Sequence, residues 1–209
     1  GGLTVDSING LTTSTGVGHT HLSATSPITF AVNSVQASLL AEALESSTTN
    51  FDTITVNAGV TVTTTTGTLV FEAGDRIIVS SGATVQSSLS EIILRTGMAD
   101  TDSDGAMTLN GTLRTLAPGQ KITLDLNSQQ AATQSATGAI LTPYLLLLST
   151  ASPSAAFALH TSTMNDVDVL AAVTSGAISF RDLDDTTIGT VGSTNGLSTN
   201  SGSSDGASV

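Results

Sequence analysis

Residues Phe51–Gln86 read FDTITVNAGVTVTTTTGTLVFEAGDRIIVSSGATVQ, and this stretch decides the fold. Four short runs follow one another in it: Ile54/Val56, Val60/Val62, Leu69/Phe71 and Ile77/Val79. Within each pair the residues stand two apart, so on a strand both side chains point to one face. Gly59, Gly67, Gly74 and Gly82 punctuate the runs at intervals of seven or eight residues. Short, evenly spaced strands with glycine turns predict an all-β sandwich, barrel or solenoid. The turns are Ala-Gly or Ser-Gly rather than the Asn-Gly and Asp-Gly of tight hairpins, and the outward positions are Thr and Ser. That combination favours a parallel β-solenoid, in which small aliphatics face inward and each coil stacks on the last. Ile54 to Ile77, 23 residues, is a suitable length for one coil.

Working outward, Asn33–Asn50 (NSVQASLLAEALESSTTN) places Val35, Leu39, Leu40, Ala43 and Leu44 on one helical face. Asn33 offers a cap and Gln36 completes a capping box. The expectation is one short amphipathic helix near residues 34–46, covering an end or flank of the solenoid, since an uncovered coil exposes open backbone donors. Further strands are expected at Glu91–Arg95, Ala106–Leu109, Thr112–Leu116, Lys121–Leu126, Ala139–Leu141, Tyr144–Leu148, Ala156–Leu159, Val167–Leu170, Ala177–Arg181 and Thr187–Val191. Asn127–Thr137 is expected to be the longest loop.

The chain of 209 residues carries 5 Lys+Arg against 17 Asp+Glu, a net charge of −12. That balance excludes nucleic acid and anionic membranes as partners, because both demand clustered cations; it suits cations, Ca²⁺ above all. Only 11% of residues are charged, so Thr, Ser, Asn and Gln must supply the polar surface. With no Cys there is no disulfide framework. A Thr/Ser/Gly-rich, Lys-poor composition points to an extracellular or bacterial cell-surface setting. Gly1 begins inside a structural pattern, with no basic region and apolar core after it; the expectation is a removed targeting segment or a piece of something longer. No apolar run is long enough to insert into a membrane as a helix.

The chain nearly repeats its opening at its close. Leu3–Ile8 aligns with Thr186–Val191, and Asn9-Gly10-Leu11-Thr12-Thr13 with Asn195-Gly196-Leu197-Ser198-Thr199. One solenoid unit over residues 1–209 is expected, a repeat of about 185 residues whose next copy starts near 186. The stretch Asn165–Gly202 (NDVDVLAAVTSGAISFRDLDDTTIGTVGSTNGLSTNSG) resembles a phrase repeated in giant secreted bacterial proteins of the filamentous-haemagglutinin and autotransporter-adhesin type. Gly138–Val167 and Leu109–Asn127 look like coils of the same kind. The resemblance implies a right-handed parallel β-helix and a role in adhesion or extracellular structure. Its partners would be copies of itself or adjacent repeats in a fibre, with surface glycans as further candidates.

Asp100, Asp102 and Asp104, followed by Gly105, match the first half of a Ca²⁺ loop: hard oxygen ligands at alternate positions and a glycine for the bend. The twelfth position is Gly111 instead of a bidentate Glu, so the full motif fails and an acidic turn is the competing reading. Bound Ca²⁺ would be structural. Asp182, Asp184 and Asp185 form a second acidic turn beside Arg181. His19 and His21 share a strand face, short of the three protein ligands a zinc site wants. The bases Arg76, Arg95, Arg114, Lys121 and Arg181 are scattered, and no nucleophile elbow, zincin or phosphate-loop motif occurs, so no enzyme is expected. The expected function is a structural or adhesive module of a secreted or surface-attached bacterial filament. The alternatives are a carbohydrate-binding or carbohydrate-cleaving β-helix and a β-sandwich adhesin array.

Overall fold

The computed structural model describes residues 3–5, 18–46, 48, 51–99, 101, 103–127, 130–149 and 155–199. Asp100, Asp102 and most of the near-repeated phrase (residues 6–17 and 200–209) lie outside them. The chain order is β1 (Leu3–Val5), β2 (His19–Ala24), β3 (Ile28–Phe30), β4 (Ser34–Gln36), β5 (Ser38–Ala43), β6 (Ile54–Val56), β7 (Thr61–Thr64) and β8 (Leu69–Ala73). There follow β9 (Arg76–Val79), β10 (Thr84–Ser87), β11 (Ile92–Thr96), β12 (Ala106–Leu109), β13 (Thr112–Thr115), β14 (Lys121–Leu126), β15 (Ala131–Gln134) and β16 (Ala139–Ser149). The last are β17 (Ala156–Leu159), β18 (Asp166–Thr174), β19 (Ile178–Phe180), β20 (Thr187–Ile188), β21 (Thr190–Val191), β22 (Thr194–Asn195) and β23 (Leu197–Thr199).

These strands stack in three columns. The first runs β1-β3-β6-β9-β12-β15-β17-β19. The second runs β4-β7-β10-β13 into the first part of β16. The third runs β2-β5-β8-β11-β14 into the second part of β16 and on to β18 and β23. Because β16 passes through both, the second and third columns form one continuous sheet. From β3 to β16 the chain visits the first, second and third columns in that order on every circuit. All pairings among the described strands are parallel except the small β21–β22 ribbon. Parallel pairing throughout does not fit the antiparallel sheets of a β-sandwich.

The register follows the apolar pattern. Ile54 pairs with Ile77 and Val56 with Val79, the 23-residue coil length anticipated above. Ile28, Ile54, Ile77 and Met107 form one inward ladder, and Leu39, Leu69, Ile92, Ile122, Leu145 and Leu170 another. All are fully buried in one contiguous core cluster. Each such side chain contributes about 1.5–3 kcal/mol by burial. Phe30 and Phe71 stack across that core, ring centroids 5.4 Å apart. Where the second column turns into the third the interior is polar: Thr64 Oγ1 donates to Ser87 Oγ at 3.1 Å, and Thr20 Oγ1 donates to Gln36 Oε1 at 2.8 Å. Gly59 and Gly82 take φ of +75° and +76° at equivalent turns, a conformation that costs glycine little.

The expected helix at residues 34–46 is not there; β4 and β5 occupy it. The same letters satisfy both periods, but Leu39, Ala41 and Ala43 alternate inward and pair with Leu69, Phe71 and Ala73, while Val35 and Leu44 of the supposed apolar face are exposed. Pairing with a ready-made neighbouring ladder outweighs helical propensity. The expected loop at Asn127–Thr137 contains β15, whose inward residues Ala132 and Gln134 are too small or too polar to announce a strand. Ala139–Leu141 and Tyr144–Leu148 are one strand.

Candidate functional site

The corner where the third column leads back to the first carries the described chain's most unusual chemistry. Asp52 stands two residues before Ile54, the first inward residue of β6, and Asp75 two before Ile77, the first of β9. The register of the ladder therefore sets one carboxylate above the other, and Asp75 N–H donates to Asp52 O at 3.0 Å. Both aspartates are fully buried. Glu45, just past β5, reaches the same corner. One carboxylate oxygen from each of Glu45, Asp52 and Asp75 lies within 4.8 Å of the other two.

Each of the three carboxylates is held by one oxygen. Asp75 Oδ2 accepts from Asp52 N–H at 2.8 Å and from Phe51 N–H. Asp52 Oδ2 accepts from Ser46 N–H. Glu45 Oε1 accepts from Thr101 Oγ1 at 2.6 Å and Thr101 N–H at 3.3 Å. The other oxygens, Glu45 Oε2, Asp52 Oδ1 and Asp75 Oδ1, are buried without a hydrogen-bond donor, as is Ser46 Oγ. Burial pushes the Asp75 carboxyl up to about 7, and the neighbouring Asp104 carboxyl adds to the rise; backbone N–H groups of Asp52 and Phe51 oppose it. Among the described residues, none of the ion pairs involves these groups.

Gly74 makes the corner possible. A Cβ there would stand 2.6 Å from Glu45 Oε2 and 2.8 Å from Glu45 Cα. Beside it opens a cavity of about 370 Å³ whose lining includes Glu42, Glu45, Glu72, Leu44 and Met98.

Of the sequence-derived candidates, Asp104 is buried and its carboxyl contacts Asp75, so it borders this corner. Asp100 and Asp102 lie outside the described residues. His19 and His21 are exposed on β2, His19 Nδ1 being 2.8 Å from Ser38 Oγ and His21 Nε2 against Glu42. Asp182 is partly buried and accepts from Val167 N–H, while Asp184 and Asp185 are exposed. Two of the five bases belong to an outward charge ladder: Arg95 reaches Glu72 at 2.6 Å and Asp125 at 3.6 Å, and Lys121 reaches Glu91 at 3.0 Å, while Arg114 Nε donates to Gln86 Oε1 at 2.8 Å. Burial raises the Asp125 pKa, which the Arg95 charge opposes and Glu72 reinforces.

Sequence reasoning missed Glu45, Asp52 and Asp75. A usable signal was present: Asp-x-Ile recurs at Asp52–Ile54 and Asp75–Ile77, one coil length apart. In a stacked fold such a repeat superposes like charges, which calls for a counter-charge. Comparison with protein-family models, curated proteins and solved structures finds no match to this chain.

Proposed function

We propose that the chain is a section of a right-handed parallel β-helix serving as a structural or adhesive module of a secreted or surface-attached bacterial filament, without catalytic activity. The observation that carries this reading is the first column: eight parallel strands, those from β3 to β19 each joined to the next by a full circuit of chain. At about 4.8 Å per strand the column is ~34 Å long. Such a stack grows by adding circuits, and its two ends present strand edges that suit a further copy or an adjacent repeat. The acidic, hydroxyl-rich composition supports contact with other proteins or surface glycans over nucleic acid or anionic lipid.

Negative-stain electron microscopy with sedimentation velocity tests the proposal. Rods that associate end to end with rising concentration are expected. Compact particles that never associate and instead turn over a polysaccharide would overturn it in favour of a carbohydrate-active β-helix.

A further inference from the structure

We infer that Glu45, Asp52 and Asp75 hold a divalent cation of the Ca²⁺ type, which clamps consecutive circuits of the chain at the corner between the third and first columns. Three observations converge on it. Glu45 and Asp52 stand on the connection between β5 and β6 and Asp75 on the equivalent corner one circuit later, yet one oxygen of each lies within 4.8 Å of the others. Asp52 and Asp75 are fully buried, and each keeps an oxygen that no donor reaches, as does Glu45. The opposite oxygen of each is fixed by donors from Ser46, Phe51, Asp52 or Thr101, so the orphaned oxygens are already oriented.

A buried, fully satisfied carboxylate needs donors on both oxygens or a positive charge nearby. Here the backbone and hydroxyl donors serve one oxygen of each, and the three carboxylates come within reach of a single ion. An all-oxygen, all-carboxylate donor set selects a hard cation. Ca²⁺ accepts such ligands in a flexible geometry, whereas Mg²⁺ demands octahedral order and gives up its waters reluctantly. Ser46, whose N–H binds Asp52 Oδ2, also carries a buried hydroxyl without a partner. Glu45 also lines the acidic cavity shared with Glu42 and Glu72, which gives the ion a route from solvent. The site stands on these carboxylates whatever role the stack serves.

The test uses the whole chain stripped with chelator, then titrated with CaCl2 by calorimetry and melted with and without the ion. Saturable binding is expected, and Tm should rise by about 5–10 °C at roughly a hundredfold excess over Kd. D75N should abolish the response, and E45Q, at a less buried position, should do the same if D75N fails to fold. D182N should leave it intact. No heat and no Tm shift at millimolar Ca²⁺ overturns the site. A full response in folded D75N or E45Q places the ion elsewhere and equally overturns it, and an equal or larger response to Mg²⁺ overturns the Ca²⁺ assignment. None of these outcomes reports on filament assembly, so this inference and the proposed function fail separately.

Discussion

Two buried polar clusters sit in the interior of this stack, and they are finished differently. Toward the end of the described chain, Gln134 interrupts the inward ladder of the first column below Leu109 and meets the fully buried Asn165. Asn165 Oδ1 accepts from Gln134 Nε2 at 2.7 Å and from Ile140 N–H at 3.0 Å. Its Nδ2 donates to Gln134 Oε1, Leu159 O and Arg181 O. Neutral amides thus satisfy each other and three circuits of backbone. At Glu45, Asp52 and Asp75 each carboxylate keeps one buried oxygen without a donor, and one oxygen of each lies within 4.8 Å of the other two. A closed amide network is complete with protein atoms alone; converging carboxylates are complete only with something positive between them.

The sharpest way to break this contrast is to remove one member from each cluster. Asn165→Ala leaves Gln134 and several backbone groups buried without partners and should cost about 3 kcal/mol or more in urea unfolding. Asp75→Asn should have the opposite sign in chelator, raising Tm, because it removes a charge from a site of like charges; a loss of stability there would put the two clusters in one class. Next in size, Gly74→Ala should destabilise by about 1–3 kcal/mol, since its methyl group forces Glu45 aside. The same variant should weaken Ca²⁺ binding severalfold in calorimetry.

A pH series sharpens the comparison from outside the acidic corner. Asp182 has its pKa raised to about 6, by burial first and then by Asp184 and Asp166, against the N–H of Val167. The folded chain therefore binds this proton more tightly than the unfolded one, whose carboxyl titrates near 3.8. Stability from this group is present below 3.8 and declines as pH rises toward about 6. Asp182→Asn should flatten that decline in denaturation curves taken across the interval. The smallest effect belongs to the outward ladder: Arg95→Gln should cost no more than about 1 kcal/mol, fading with added salt.

Much of the fold is legible in residues 51–86 because inward aliphatics alternate cleanly there, and the separation of Ile54 and Ile77 is the true register. The same logic fails at residues 34–46, where alternation and helical spacing coincide and only the neighbouring Leu69–Ala73 ladder decides between them. It fails again at β15, where Gln134 is inward but is held by an amide 31 residues away. The acidic corner was missed for a different reason. A local motif search looks for ligands along one loop, as at Asp100, Asp102 and Asp104, whereas stacking brings together residues a whole circuit apart. The near-repeat of the chain's opening and close is a subtler case. Leu3–Val5 pairs in the first column, while Thr187–Ile188 pairs with β18 on the sheet formed by the other two.

The β21–β22 ribbon departs from parallel pairing and folds over the outer surface of the third column, where Val191 packs on Leu146 and Ala171. Elsewhere the strand-to-strand hydrogen bonds point along the stacking direction, so a pull on the two ends loads them a few at a time, like a zipper opened from its end. Such a geometry is expected to yield in small steps, one layer of strands after another. A ribbon lying across several circuits works as a strap: it makes the last steps resist together, and mechanical give is confined to the opposite end of the stack.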